Sequence, residues 1–280
     1  MTSQGGQLQS QRTLPTIHMF WHGPPLSRVE RLCLASFARN GHPVELHVYE
    51  PPPHVPAGIR IRDAAEILPR DALFLHKRTG SVGLFSDWFR YKLLFERGGV
   101  WADTDVVCLA PFDYASELIF GWQDFRWLNN AVLGTPAGHE LARWMVQCCE
   151  NPNRVLPYDG LRMKLRKWKR RYLQGDRRER VRWGEYGPKG LTLAARHLGW
   201  SDQARPVDEL YPVHWDQWHS VFEATAPQIP AVSRAIHLWH NKMRERPGFD
   251  KNGVFPRDSL FERLVQRYES DSMPRFRTSS

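Results

Sequence analysis

Two carboxylates one residue apart, Asp103 and Asp105, follow directly on the short apolar run Val100-Trp101-Ala102. An Asp-x-Asp triplet alone says little, because the same residues also make solvated turns. Its surroundings narrow the choice. Upstream, Asp87 and Arg90 stand three apart in a stretch with helical spacing, so both face one way. The pair Gly98-Gly99 then allows a sharp backbone turn into the apolar run. At the end of a strand, two acids separated by one residue point to the same face. They can share a divalent cation, directly or through water, and carboxylate oxygens suit manganese or magnesium. A cation held there would neutralise charge developing on a departing diphosphate.

The stretch Ser86 to Asp105, SDWFRYKLLFERGGVWADTD, fits the pattern Ser-Asp-x-x-Arg-Tyr-x-x-Leu-x-x-x-Gly-Gly-Val-[Tyr/Trp]-x-Asp-x-Asp. This resembles the signature of glycosyltransferases with a DXD sugar-binding region. They form family 32, with its initiating mannosyltransferases and α-1,4-glycosyltransferases, and the glucosylating domains of clostridial toxins carry a similar motif. The resemblance implies an α/β fold of the GT-A type and a nucleotide-diphosphate sugar donor, UDP-linked by preference. It also implies a Mn2+ or Mg2+ cofactor and retention of anomeric configuration.

The resemblance also assigns roles to residues. Asp103 and Asp105 match the metal-binding acids, and His237, in Ala235 to Lys242 (AIHLWHNK), matches a position that completes the metal shell. His240 and Asn241 follow closely and are further candidates for metal or diphosphate. Trp21, in IHMFWHG, matches an aromatic that stacks on the nucleotide base; a core tryptophan is the other reading. Asp87, Arg90 and Trp101 match donor-binding positions, with tryptophan where tyrosine is usual. Gly187 and Pro188 resemble a turn beside the donor. Asn130 matches an amide that faces the reacting sugar, while Asn129 beside it reads equally as turn chemistry. Asp124 is a candidate for acceptor binding or catalysis.

These residues need elements to position them. Pro15 to Trp21 reads as a buried strand, and Ser27 as the N-cap of a helix reaching about Phe37. Val44 to Tyr49 alternates like a half-buried strand, and Glu50 to Pro56 is a proline-rich loop. Ala64 to Leu68 is a short helix candidate. Ser81 to Arg97 is the clearest helix, stopped by Gly98-Gly99. Strands follow at Val100–Ala102, Val106–Leu109, Leu118–Trp122 and Ala131–Gly134, then a helix over Gly138–Cys149. The alternation predicts an α/β fold, a single mainly parallel sheet flanked by helices, with a helical basic second half. We therefore read residues 14–265 as one catalytic domain. Its nucleotide-sugar half spans about 14–150 and its acceptor half about 151–265, between a disordered tail at 1–13 and a polar tail at 266–280.

Composition bounds the partners. The chain has 280 residues, 41% hydrophobic and 25% charged, as in an ordinary globular enzyme. No apolar run approaches the ~20 residues that cross a bilayer, and the N-terminus lacks the pattern of a secretory signal. A cytoplasmic protein is expected. The 4 cysteines lack zinc-ligand spacing and read as reduced, buried thiols. Net charge is +9, concentrated between Arg162 and Arg182. That run is either a solvated helix face or a patch that meets anionic lipid, as at the inner face of a membrane, or a charged acceptor. The expected partners are a nucleotide-sugar and a glycan or glycolipid acceptor, as in lipopolysaccharide or capsule assembly. The charge and 12 tryptophans also suit a single-stranded nucleic-acid binder. No RNA-binding, zinc-finger or helix-turn-helix signature accompanies them, so nucleic acid is not expected. A non-catalytic sugar-nucleotide-binding relative is the third reading, against which the intact acids speak.

Overall fold

A computed structural model describes residues 13–269, apart from positions 176 and 183. The chain opens with strand β1 (Ile17–Trp21) and helix α1 (Arg28–Arg39). Ser27 caps α1 through a capping box with Glu30, so two orphan N-terminal donors are satisfied reciprocally. Strands β2 (Val44–Val48) and β3 (Ile59–Asp63) follow, then a single turn of tight helix at Ala64–Glu66. Helix α2 (Gly83–Arg97) runs into β4 (Gly99–Ala102) with only Gly98 between them. Next come β5 (Val106–Cys108), β6 (Ile119–Trp122), β7 (Leu128–Thr135) and α3 (Glu140–Glu150). The remainder holds α4 (Leu161–Leu173), α5 (Pro188–His197), α6 (Val207–Leu210), β8 (Ala235–His237), α7 (His240–Glu245) and α8 (Leu260–Glu269).

The main sheet has six strands in the order β3-β2-β1-β4-β7-β6. Strands β3, β2, β1 and β4 are mutually parallel, and β7 alone runs against the others. The α/β class with a mainly parallel sheet is as expected. One expectation changes: the strands do not form a single sheet, because β5 and β8 pair antiparallel in a small second sheet. Side chains on alternate strand positions sort into two cores. Phe20, Trp101, Phe120 and Leu133 pack under α2, α3 and α5, while Ile17, Met19, Val100 and Val132 pack with Leu34 and Phe37 of α1. A third cluster joins α1 to β8 and α8. All four cysteines are free and buried.

Other sequence expectations need adjustment. Strand β2 is buried on both faces, because β3 covers its edge and Arg62 donates to Glu45 Oε1 at 2.9 and 2.7 Å. His47 and its neighbour His18 are buried beside Glu45, and burial pushes their imidazoles down to about 3 and about 4. Strand β3 was hidden in Ile-Arg-Ile-Arg-Asp, where charged residues protect a sheet edge. Asn129 and Asn130 sit inside β7, not in a turn. Helix α8 runs through Glu269, so residues 266–269 of the expected C-terminal tail are helical, and the rest of that tail lies outside the described residues. The expected N-terminal tail falls, apart from Thr13, outside the described residues.

Candidate active site

The short path from α2 into β4 is set by two glycines at positive φ, +69° at Gly98 and +88° at Gly99. A Cβ on Gly98 would stand 2.7 Å from the Ala137 nitrogen, and one on Gly99 2.9 Å from His18 Nε2. Only glycine fits there. The tight path brings two turns of α2 alongside the end of β4. Arg90 Nη1 donates to Asp87 Oδ1 at 3.1 Å, and its Nη2 to Asp103 Oδ1 at 2.5 Å. The guanidinium also lies 4.9 Å from the Trp101 ring. Trp101 Nε1 donates to the same Asp103 oxygen at 2.7 Å. Trp101 is buried, so it serves the site by fixing Arg90 and Asp103.

Asp103 and Asp105 lie in a tight turn, Val106 N–H donating to Asp103 C=O at 3.0 Å, and not in a strand as the spacing suggested. Their convergence comes from different neighbours. Asp103 N–H is tied to Ala131 C=O of β7 at 2.8 Å. Asp105 is held by the β5–β8 pairing: Leu238 N–H donates to its C=O at 2.8 Å, and His237 Nε2 lies 3.2 Å from Oδ2. Backbone N–H of His240 donates to the same Oδ2 at 2.6 Å. This last bond requires the left-handed Trp239, at φ 60°, ψ 61°. Its ring packs 4.0 Å from His237, and its Nε1 donates to Val213 C=O at 2.9 Å. A non-glycine residue in this region costs of order 1 kcal/mol and persists where surrounding contacts enforce it.

Ligand atoms of Asp103, Asp105 and His237 lie within 4.8 Å of one another. Two carboxylates and one imidazole form a donor set that suits manganese or magnesium. Electrostatics agree with that fit. Burial pushes the Asp103 carboxyl above its usual range, Arg90 opposes this, and Asp105 adds to the rise. Burial acts on Asp105 too, but His237 and the His240 N–H outweigh it and hold the carboxyl well below the usual range. The repulsion between the two acids is what a cation would relieve.

These residues line an open cleft of about 280 Å³. Asn130 Nδ2 donates to Asp87 Oδ1 at 2.8 Å and to Tyr91 Oη at 3.1 Å. Burial pushes Asp87 up to about 6, Arg90 pulling the other way and Asp103 adding to the rise. Gly187 and Pro188 form the N-terminus of α5 on the cleft wall. Thr192 anchors that helix to β7, its hydroxyl accepting Leu128 N–H at 2.9 Å. Trp21 is half-buried, donating to Pro24 C=O at 2.9 Å, and both it and Asn241 line the cleft. The structure thus gathers Trp21, Asp87, Arg90, Trp101, Asp103, Asp105, Asn130, Gly187, Pro188, His237 and Asn241 around one cavity.

Two sequence candidates take other positions. Asp124 is absent from the cleft lining: its Oδ1 accepts the N–H groups of Arg126 and Trp127, both at 2.7 Å, closing the β6–β7 turn. Gln123 beside it lines the cleft. His240 lines the cleft, but its Nε2 turns away from the acids to Glu30 Oε1 at 2.6 Å, so its imidazole is not in the metal group. Lys251 pairs with the same Glu30 oxygen. Burial would raise the Glu30 carboxyl, but His240 and Lys251 bring it down to about 2. Sequence reasoning missed Glu30 and Lys251; the capping-box spacing from Ser27 was the only local signal for the first.

Comparison with known proteins agrees with the motif. Residues 65–120 match the family model described as a glycosyltransferase sugar-binding region containing DXD motif. Lactosylceramide 4-alpha-galactosyltransferase of Homo sapiens is 26% identical over 174 residues, covering 57% of this chain and 42% of that protein. The Pongo pygmaeus protein of the same name is 27% identical, over 57% of this chain and 68% of its own sequence. Alpha-1,4-N-acetylglucosaminyltransferase of Homo sapiens is 24% identical over 175 residues, covering 57% of this chain and 43% of that protein. The match thus spans less than half the length of either human relative. Among solved structures, PaToxG Glycosyltransferase aligns with TM-score 0.43 and 11% identity over 66% of this chain and 68% of that one. No helix among the described residues is long and apolar enough to cross a membrane.

Proposed function

We propose that this chain, which carries the sugar-binding region of the DXD-containing glycosyltransferases, is a metal-dependent retaining glycosyltransferase. It moves a hexose or N-acetylhexosamine from a UDP-sugar to a glycan or glycolipid acceptor. The single observation that carries this reading is the convergence of Asp103, Asp105 and His237 beside the Asp87–Arg90–Asp103 ion-pair chain in one cleft. The glycolipid part of the reading draws on the relatives, whose names specify lactosylceramide.

Asp103, Asp105 and His237 would hold the cation, which when bound neutralises charge on a leaving nucleoside diphosphate. The remaining work falls to the chain itself. Arg90, fixed by two carboxylates and the Trp101 ring, keeps a positive charge beside the donor without reorganising. Asp87 and Asn130, bonded to each other, present carboxylate and amide oxygens to the sugar hydroxyls, since both Asn130 N–H groups are taken by Asp87 and Tyr91. Trp21 in the cleft lining stacks on the base, and the start of α5 walls in the donor. The acceptor hydroxyl attacks C1 on the face that the phosphate leaves. The C1–O bond to phosphate breaks, the new C1–O bond forms, and the hydroxyl proton passes to the departing phosphate oxygen. This route needs no protein nucleophile, in keeping with Asp124 being committed to a turn.

The test is a panel of UDP- and GDP-sugars with manganese, scored by thermal stabilisation and by nucleoside diphosphate release. One or more UDP-sugars should stabilise and be hydrolysed, and Asp105→Asn should abolish both effects. Full turnover by Asp105→Asn, or turnover indifferent to chelator, would sink the proposal. Stabilisation without release in the presence of varied acceptors would point to a sugar-nucleotide-binding protein instead.

A further inference from the structure

Helix α4 carries 13 residues, LRMKLRKWKRRYL, none of them acidic. At about 100° per residue, Leu161, Leu165, Trp168 and Tyr172 fall within an arc of about 60°. Spacing of this kind usually marks the face a helix buries. Here the relation is reversed: each of the four is at least 54% exposed, and Leu173 beside them likewise. The face that is buried is polar. Lys167 Nζ donates to Asp159 Oδ2 at 2.7 Å and to Arg154 C=O at 2.9 Å. Arg170 makes paired bonds to Glu185 at 2.9 and 2.8 Å and one to Asn153 Oδ1 at 2.7 Å. These ion pairs fix the rotation of the helix, so its apolar stripe is held outward. Exposed Lys164 and Arg171 flank the stripe on one side, and exposed Arg162 and Lys169 on the other.

We infer that α4 is a membrane-surface helix, lying in the plane of an anionic bilayer with Leu161, Leu165, Trp168 and Tyr172 below the headgroups. An apolar stripe bordered by cations and carrying a Trp–Tyr pair, with ring centroids 5.7 Å apart, is the composition that partitions to such an interface. Charge complementarity selects the occupant. A second copy of the chain would set the cations of one α4 against those of the other, with no acid on the helix to pair them. Nucleic acid would satisfy the cations and stack on the two rings, but it offers nothing to the two leucines of the stripe. Acyl chains with acidic headgroups satisfy both. The inference sharpens the reading of the basic run 162–182: Lys167 and Arg170 are consumed internally and do not meet the lipid. It does not depend on which sugar, if any, the cleft binds.

The experiment is co-sedimentation of the full chain with phosphatidylcholine vesicles, with and without phosphatidylglycerol. Wild-type protein should pellet with the phosphatidylglycerol vesicles and be released by salt. The triple variant Leu161→Ser/Leu165→Ser/Trp168→Ser changes only exposed positions, and its circular dichroism should match wild type. It should bind the anionic vesicles about tenfold or more less tightly. Lys164→Gln and Lys169→Gln should each weaken binding about fivefold. Lys167→Gln, which alters a buried ion pair, should change vesicle binding less than Lys169→Gln. Equal binding by the triple variant and wild type would overturn the inference. So would failure of wild type to bind anionic vesicles, whether accompanied by oligonucleotide binding or by a dimer that the triple variant dissociates.

Discussion

Asp87→Asn should make the metal-free protein more stable at neutral pH while removing its activity. Asp87 and Asp103 share one guanidinium, so two partly buried carboxylates divide a single positive charge. Burial lifts Asp87 from 3.8 to about 6, against the pull of Arg90. A carboxyl whose folded-state value is raised favours the fold while it is protonated. That contribution is full below about 3.8 and is lost as pH rises through about 6. A difference of about 2 units corresponds to about 3 kcal/mol at full ionisation. Asparagine keeps the oxygen that accepts from Arg90 and from Asn130, but it cannot ionise. Urea unfolding of wild type and Asp87→Asn, in chelator at steps from pH 4.5 to 8, measures the difference directly. Asp87→Asn should gain on wild type across pH 4 to 6 and then hold a constant lead of about 2–3 kcal/mol. Nucleoside diphosphate release should fall at least about a hundredfold. A stability difference that is flat with pH, or a variant weaker than wild type at pH 8, would refute the reasoning.

Three further outcomes follow from particular contacts. Gly99→Ala should cost about 2–4 kcal/mol in urea unfolding, because φ is +88° and the new Cβ meets His18 Nε2 at 2.9 Å and Thr16 C=O at 3.0 Å. Tyr211→Phe should cost about 1–3 kcal/mol, since it leaves the Val132 N–H, now 3.0 Å from the phenol oxygen, without that acceptor. Glu30→Ala should cost about 2 kcal/mol or more and weaken manganese binding measured by calorimetry, because it frees His240 and Lys251. The Glu30 contribution is complete above about pH 4.5 and is lost as pH falls toward about 2, so the gap between Glu30→Ala and wild type should narrow in acid.

The parts of the site that could be read from sequence are those built by local geometry. Helix α2, the glycine pair and the acids follow one another without interruption, and apolar spacing with glycine chemistry announces them. Asn130 and His237 were reachable only through family resemblance, because their partners Asp87 and Asp105 lie 43 and 132 residues away. Sequence spacing fails where a polar side chain has two possible customers. Asp124 and Asp105 are both acids near strand ends, yet one turns its oxygens to adjacent backbone and the neighbouring Gln123 amide and the other to a distant imidazole. His240 was read by its imidazole, while its backbone N–H is the group that reaches Asp105. The apolar stripe of α4 shows the same limit from the other side. Its periodicity is visible in the chain, but only the Lys167 and Arg170 ion pairs reveal that it faces outward.

The pairing of β5 with β8 gives the protein a history as well as a shape. Asp105 leaves the ribosome 132 residues ahead of the histidine that completes its group, and Asp103 shortly before it. At about 5–20 residues per second this is a delay of roughly 7 to 26 seconds. Through that interval β1 to β4 can already pair, but β5 has an open edge and the acids lack His237 and the His240 N–H. The group that would hold a cation is therefore completed late, after the strands of the main sheet have been made. A nascent or interrupted chain would carry the sheet without the completed group of two carboxylates and one imidazole.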